Sequence, residues 1–168
     1  MRPPMKNNSP NEYQTPTYAI DPLIPYIRKD WTIWECAEGK GNITKYLKEN
    51  GYKVFGTDII TGTDFLNKEL QLPYFDCIIT NPPYQFKNQF LERCYELGKP
   101  FALLMPLTSL ETEKRQRLFR RYGIELVLMP KRINFEVPDG INNSSAWFAS
   151  AWFTYKFNLG QQLVFSEK

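Results

Sequence analysis

The stretch Phe75-Asp76-Cys77-Ile78-Ile79-Thr80-Asn81-Pro82-Pro83-Tyr84 decides the fold. Its apolar run, bounded by polar residues, reads as a buried strand of a parallel sheet. The run stops at two prolines, neither of which can donate to a sheet ladder. Pro82 also pushes Asn81 into an extended conformation. Asn81 is therefore expected in a stiff turn just past the carboxyl end of a strand, where open α/β sheets bind ligands.

Upstream lies Trp31-Thr32-Ile33-Trp34-Glu35-Cys36-Ala37-Glu38-Gly39-Lys40-Gly41. Its β-branched and aromatic start predicts a strand, its glycines a turn, and residues 42–50 a helix. Strand, glycine turn and helix make the half-unit of nucleotide-binding sheets. No lysine followed by Ser or Thr is present, which excludes a phosphate-cradling loop, and Thr44 occupies the third position of a dinucleotide fingerprint. A second strand over 52–57 ends at Asp58. An acid at this point commonly accepts hydrogen bonds from ribose hydroxyls; a plain helix cap or Asx turn is the other reading. Seventeen residues separate Asp58 from Asp76. That is too short for a strand and a crossover helix, so the usual third strand is expected to be reduced or absent.

Downstream, an amphipathic helix over 86–97 is stopped by Gly98, and an apolar strand follows over 100–106. A charged helix is expected from Ser109, with Glu111 and Glu113 early and Arg115, Arg117, Arg120 and Arg121 late. This order suits the helix dipole, and the face is either solvated or turned toward nucleic-acid phosphates. A strand over 123–129, a loop of turn formers over 138–145 and a final strand over 146–157 complete the pattern. Trp147, Phe148, Trp152 and Phe153 in that last strand are assigned mostly to the core. Residues 1–14, rich in Pro, Asn and Ser, read as a flexible arm. Asp21-Pro22 marks the start of a short helix running to about Lys29. Residues 15–168 are expected to form one domain.

A hydrophobic fraction of 42% in 168 residues argues for a globular core rather than disorder. The net charge of +3 permits a nucleic-acid partner without demanding one. Three cysteines without C-x-x-C spacing, and no histidine, give no metal site. The N-terminus has no apolar leader and no stretch is long enough to span a membrane, so a soluble, cytoplasmic protein is expected.

The Asn-Pro-Pro-Tyr turn suits a particular chemistry. An exocyclic aromatic amine is a poor nucleophile because its lone pair is delocalised into the ring. The Asn81 side-chain oxygen and the Pro82 carbonyl accept hydrogen bonds. Aimed at the two amine hydrogens, they favour a pyramidal nitrogen whose lone pair is free, with no titrating base required. Tyr84 adds a flat face for a base to stack on, worth about 1–3 kcal/mol.

This turn resembles motif IV of the amino-group DNA methyltransferases, in the form found in their adenine-N6 branch. The glycine turn resembles motif I, with Glu35 and both glycines in register and Cys36 where proline is usual. The resemblance implies an α/β class I (Rossmann-like) sheet, mostly parallel with an antiparallel last strand. Without the third strand its order would be 2-1-4-5-7-6 in the family's numbering. It also implies S-adenosylmethionine as cofactor. Glu35 would then reach the cofactor amino group, while Cys36, Gly39 and Gly41 would border its methionine moiety. Asp58 and Ile59 match motif II, at the ribose, and Asp64 and Phe65 match motif III, at the adenine of the cofactor. Thr15, Tyr18 and Ile20 match motif X, at its methionine end. Asn81, Pro82, Pro83 and Tyr84 become the catalytic set, with Asn81 also beside the cofactor.

In the family the last hairpin carries an aromatic for the second face of the target base. Phe135 is the candidate, with Lys131 and Arg132 beside it for backbone phosphates. The implied reaction is direct methyl transfer to N6 of a flipped-out DNA adenine. RNA adenine, cytosine N4, a protein glutamine amide, or a non-catalytic module that binds cofactor or DNA remain open. No separate target-recognition domain is recognisable, so a protein partner or a homodimer is a candidate source of recognition. A compact enzyme of this kind would suit a phage.

Overall fold

The computed structural model describes residues 14–135 and 148–167. Its strands are β1 (Thr32–Glu35), β2 (Lys53–Gly56), β3 (Cys77–Thr80), β4 (Phe101–Pro106), β5 (Glu125–Leu128), β6 (Ser150–Tyr155) and β7 (Leu163–Phe165). Three α-helices accompany them: α1 (Asn42–Glu49), α2 (Lys87–Leu97) and α3 (Glu113–Tyr122). The strands form one sheet in the order β2-β1-β3-β4-β6-β5-β7. β2, β1, β3 and β4 run parallel, β6 is antiparallel to both β4 and β5, and β7 runs parallel to β5.

Successive strand residues point to opposite faces of a sheet. Here both faces are buried, which explains the unbroken apolar runs. Ile33, Cys77, Ile79, Ala102, Leu104 and Trp152 enter one core, beneath α1 and the N-terminal segment. Trp34, Ile78, Phe101, Leu103, Met105 and Phe153 enter the other, beneath α2 and α3. Every residue of β3 and β4 is buried. Polar groups are therefore displaced to the strand ends.

The α/β class, the antiparallel strand and the missing third strand match expectation. β2 is left at one edge of the sheet, and a 3-10 turn (Ile59–Thr61) lies in the link to β3. Three local readings are corrected. The segment after Asp21 forms 3-10 rather than α structure over Asp21–Tyr26, because Pro25 lacks an N–H and its ring crowds the carbonyl four residues back. The charged helix begins at Glu113 instead of Ser109. A 3-10 turn (Leu107–Leu110) precedes it, and the buried Arg115 guanidinium donates to the Ser109 carbonyl at 2.7 Å and to Asn88 Oδ1 at 2.8 Å. Finally, β7 was not anticipated, so the reversed strand is β6 and not the last in the chain. A three-residue strand carries too little periodicity to be seen in sequence. The loop over 138–145 and nearly all of the N-terminal arm lie outside the described residues.

Trp152 anchors the N-terminal segment to the sheet. Its ring is fully buried and Nε1 donates to the Ala19 carbonyl at 2.8 Å. Trp152→Phe keeps an aromatic but strands that buried carbonyl, and it should destabilise the fold by about 1–3 kcal/mol. Urea unfolding with an unchanged m-value would read this directly.

Candidate active site

The carboxyl ends of β1, β2 and β3 frame the site, and backbone hydrogen bonds fix their spacing. The Thr57 amide donates to the Glu35 carbonyl at 2.9 Å, and the Glu38 amide returns to the Thr57 carbonyl at 3.0 Å. Trp34 Nε1 donates to Thr57 Oγ1 at 2.9 Å. Asp58 then binds two amides with its carboxylate, Gly39 N to Oδ2 at 2.9 Å and Ile60 N to Oδ1 at 3.0 Å. The turn after β1 is thus held against the end of β2 before any ligand is considered.

Two glycines make this close approach possible. Gly39 sits at φ +53°, and a Cβ there would lie 2.9 Å from Gln14 Nε2. At Gly56 a Cβ would fall 1.6 Å from Glu38 Oε2, so no other residue allows the Glu38 carboxylate to lie across β2. Glu38 Oε2 also accepts from Thr44 Oγ1 at 3.3 Å.

Between these elements is a cavity of about 340 Å³. It brings together Thr15, Glu35, Cys36, Gly39, Asp58, Ile59, Asp64, Phe65, Asn81, Pro82, Pro83 and Tyr84 from sites spread over the first half of the chain. Phe65 is buried against Trp34 and Phe90, with ring centroids 5.4 and 4.9 Å away, and forms an aromatic wall. Asp64 Oδ1 caps the Leu66 amide at 2.9 Å. Asn81 is half-buried, and its Nδ2 donates to Thr15 Oγ1 at 3.1 Å. Tyr84 and Phe148 pack T-shaped, centroids 5.3 Å apart and planes at 79°.

Other expected residues lie elsewhere. Ile20 is fully buried in the core, and Gly41 is the N-cap of α1. Tyr18 is exposed, accepts from the Asn134 amide at 2.8 Å, and has Lys131 Nζ 5.5 Å from its ring centroid. With exposed Arg132 these residues make a basic and aromatic surface apart from the cavity lining. Phe135 is buried in the core beneath α1. Phe148 is the aromatic placed against Tyr84. Sequence reading also missed Gln14, which was placed in the arm, together with Glu38, Asn42, Ile60 and Phe86, all of which line the cavity.

The cavity is electrostatically one-sided. Glu35, Glu38, Asp58 and Asp64 line it, and among the described residues no lysine or arginine does. Glu35 is 1% exposed, and burial pushes its carboxyl up to about 8. The Ala37 amide, donating to Oε1 at 2.9 Å, opposes this shift, while the carboxylates of Glu38 and Asp58 reinforce it. Burial likewise pushes the Cys36 thiol well up, so it stays neutral at physiological pH. Among the described residues no His/Cys/Asp/Glu cluster could hold a metal, and no helix is long and apolar enough to cross a membrane.

Because Glu35 keeps its proton in the fold above the pH at which the unfolded chain loses it, this residue lowers stability as pH rises from about 4.5 to about 8. Glu35→Gln removes that titration. The ligand-free variant should therefore be more stable than wild type at pH 8, with the difference shrinking toward pH 5. Melting temperatures across this range check the sign.

No protein-family model and no curated protein sequence matches the chain. Solved structures do resemble it. A chain described as a modification subunit of a type I restriction enzyme from Vibrio vulnificus superposes with a TM-score of 0.55 at 11% identity. The match covers 88% of this chain and 45% of the Vibrio chain, so this chain spans less than half the length of that relative. A second, described as a class I S-adenosylmethionine-dependent methyltransferase from Listeria monocytogenes, gives a TM-score of 0.56 at 13% identity. That match covers 93% of this chain and 66% of the other. The chain has the Rossmann-like sheet of the class I S-adenosylmethionine-dependent methyltransferases.

Proposed function

We propose that this protein transfers the methyl group of S-adenosylmethionine to N6 of adenine in DNA. The observation that supports this most strongly is a cavity lined, among the described residues, by four carboxylates and no lysine or arginine, one wall of which is the Asn81-Pro82-Pro83-Tyr84 turn. Phosphate-bearing cofactors would be repelled there. S-adenosylmethionine has no phosphate and carries an ammonium and a sulfonium, so the donor set fits it. When bound, it supplies a methyl group on a positively charged sulfur.

The chain's own residues divide the remaining work. Glu35 takes the ammonium and gives up its proton in doing so. Asp58 keeps lone pairs for the ribose hydroxyls after binding its two amides. Ile59 borders the ribose beside Asp58, Asp64 and Phe65 enclose the adenine of the cofactor, and Gly39 and Cys36 leave room at the methionine end. The neutral Cys36 thiol is no nucleophile, in keeping with direct transfer. Asn81 Oδ1 and the Pro82 carbonyl accept the two hydrogens of the target amine and free its lone pair. Tyr84, in T-shaped contact with Phe148, stacks on the flipped base. Rate acceleration then comes from positioning and charge complementarity.

Lys131 and Arg132 around Tyr18 suit DNA phosphates. A partner protein or a second copy of the chain is proposed as the source of target recognition. The restriction-enzyme modification subunit that shares this sheet supports a DNA substrate.

Nucleoside mass spectrometry on DNA and RNA from a methylation-deficient host expressing this chain is the test. N6-methyladenine in DNA, absent with Asn81→Ala, is the expected result; the mark confined to RNA, or no mark at all, would overturn the DNA assignment. In vitro, Asn81→Ala should lower turnover by about 10²–10³-fold with cofactor affinity retained. Asp58→Ala should instead weaken cofactor binding about tenfold or more, by calorimetry. Wild-type cofactor binding below pH 8 should release a proton from Glu35. Binding enthalpies in buffers of different ionisation heat would show it.

A further inference from the structure

We infer that Thr15 is a positioning residue for the catalytic turn, joining Asn81 to the glycine turn so that the two behave as one unit. The inference rests on the reading of Asn81 as the acceptor for the target amine. Thr15 is 3% exposed and lines the cavity between its two working walls. Its Oγ1 accepts from Asn81 Nδ2 at 3.1 Å, and its carbonyl accepts from Asn42 Nδ2, at the start of α1, at 3.2 Å. The preceding Gln14 Oε1 accepts from the Lys40 amide at 3.2 Å. Two adjacent residues therefore grip the glycine turn, the first turn of α1 and the Asn81 side chain, which lies sixty-six positions along the chain.

The chemistry gives this contact a purpose. The prolines fix the Asn81 backbone, but the amide torsion of an asparagine side chain is broad and has no sharp staggered minimum. An amide presenting NH₂ to the target amine would oppose its hydrogens; only Oδ1 can accept them. The Thr15 hydroxyl oxygen takes Nδ2 and leaves Oδ1 for the substrate. A residue that only borders the cofactor would have no use for this bond.

Thr15→Val keeps the shape and removes the hydroxyl, and Thr15→Ser restores it. With Thr15→Val, kcat should fall about ten- to a hundredfold, in line with losing one positioning hydrogen bond. Cofactor affinity should stay within about twofold, and Thr15→Ser should recover most of the rate. In an Asn81→Ala background, Thr15→Val should add no further loss, the coupling expected of residues acting as a unit. The side-chain amide protons of Asn81, identified by their disappearance in Asn81→Asp, should be slowed in exchange in wild type and in Thr15→Ser but not in Thr15→Val. This signal needs no turnover. If wild type fails to methylate adenine, the reading of the site fails while the amide signal still decides the role of Thr15. Unchanged kcat with weakened cofactor binding, or amide exchange unaltered by Thr15→Val, would overturn the inference.

Discussion

Burial of the sheet on both faces is the constraint on which the rest of the structure depends. With Ile33, Cys77 and Ile79 committed to one core and Trp34, Ile78 and Leu103 to the other, the strands have no free face for polar work. Binding groups can only gather where strands end. The Thr57 backbone and the Asp58 carboxylate turn that necessity into a defined rim, because they tie the turn after β1 to the end of β2. β3 delivers Asn81 to the same rim, and the two prolines stop the strand where the side chain is needed. Polar placement and the double-sided core are therefore one feature seen from two directions.

The rim is electrostatically expensive. Four carboxylates around one cavity repel each other, and the most buried of them, Glu35, answers by holding its proton up to about pH 8. Burial raises this acid despite the hydrogen bond from the Ala37 amide, and strongly shifted groups of this kind cluster at ligand sites. Such an arrangement opposes folding and favours binding through the same residue. A cation placed beside Glu35 would lower its pKa, so affinity for the ligand and loss of the proton are linked by necessity.

Much of this was legible in short stretches of sequence, because the relevant information is local. A strand stopped by Asn-Pro-Pro, an acid and two glycines after a strand, and an acid at the end of the next strand each imply a position at the carboxyl edge of the sheet. All of Glu35, Gly39, Asp58 and Asn81 indeed line the cavity. What escaped was set by distant neighbours. Phe135 and Phe148 are both aromatics near the last strands, and only packing decides that Phe135 enters the core while Phe148 meets Tyr84. Gln14 sits in polar text that looks like an arm, yet its side chain reaches the Lys40 amide. Glu38 depends on the absence of a Cβ at Gly56, eighteen residues further on. The 3-10 turns after Asp21 show the opposite failure, where a good helix start was overruled by one later proline.

Among the described residues, the cavity that Asn81 lines holds carboxylates and the Cys36 thiol, which burial keeps neutral, but no lysine or arginine, and the chain has no histidine. In the proposed reading Asn81 acts as a fixed acceptor, and a fixed acceptor is only as good as its orientation. A loosely held carbonyl must reorganise as charge develops, which gives back the advantage of having it there. The Asn81 backbone is restrained by Pro82 and Pro83, its amide by Thr15, and the ring of Tyr84 by its T-shaped contact with Phe148. Each restraint comes from a different part of the chain. The shape of the cavity wall is thus a property of the packed N-terminal segment, the strand ends and the approach to β6 together.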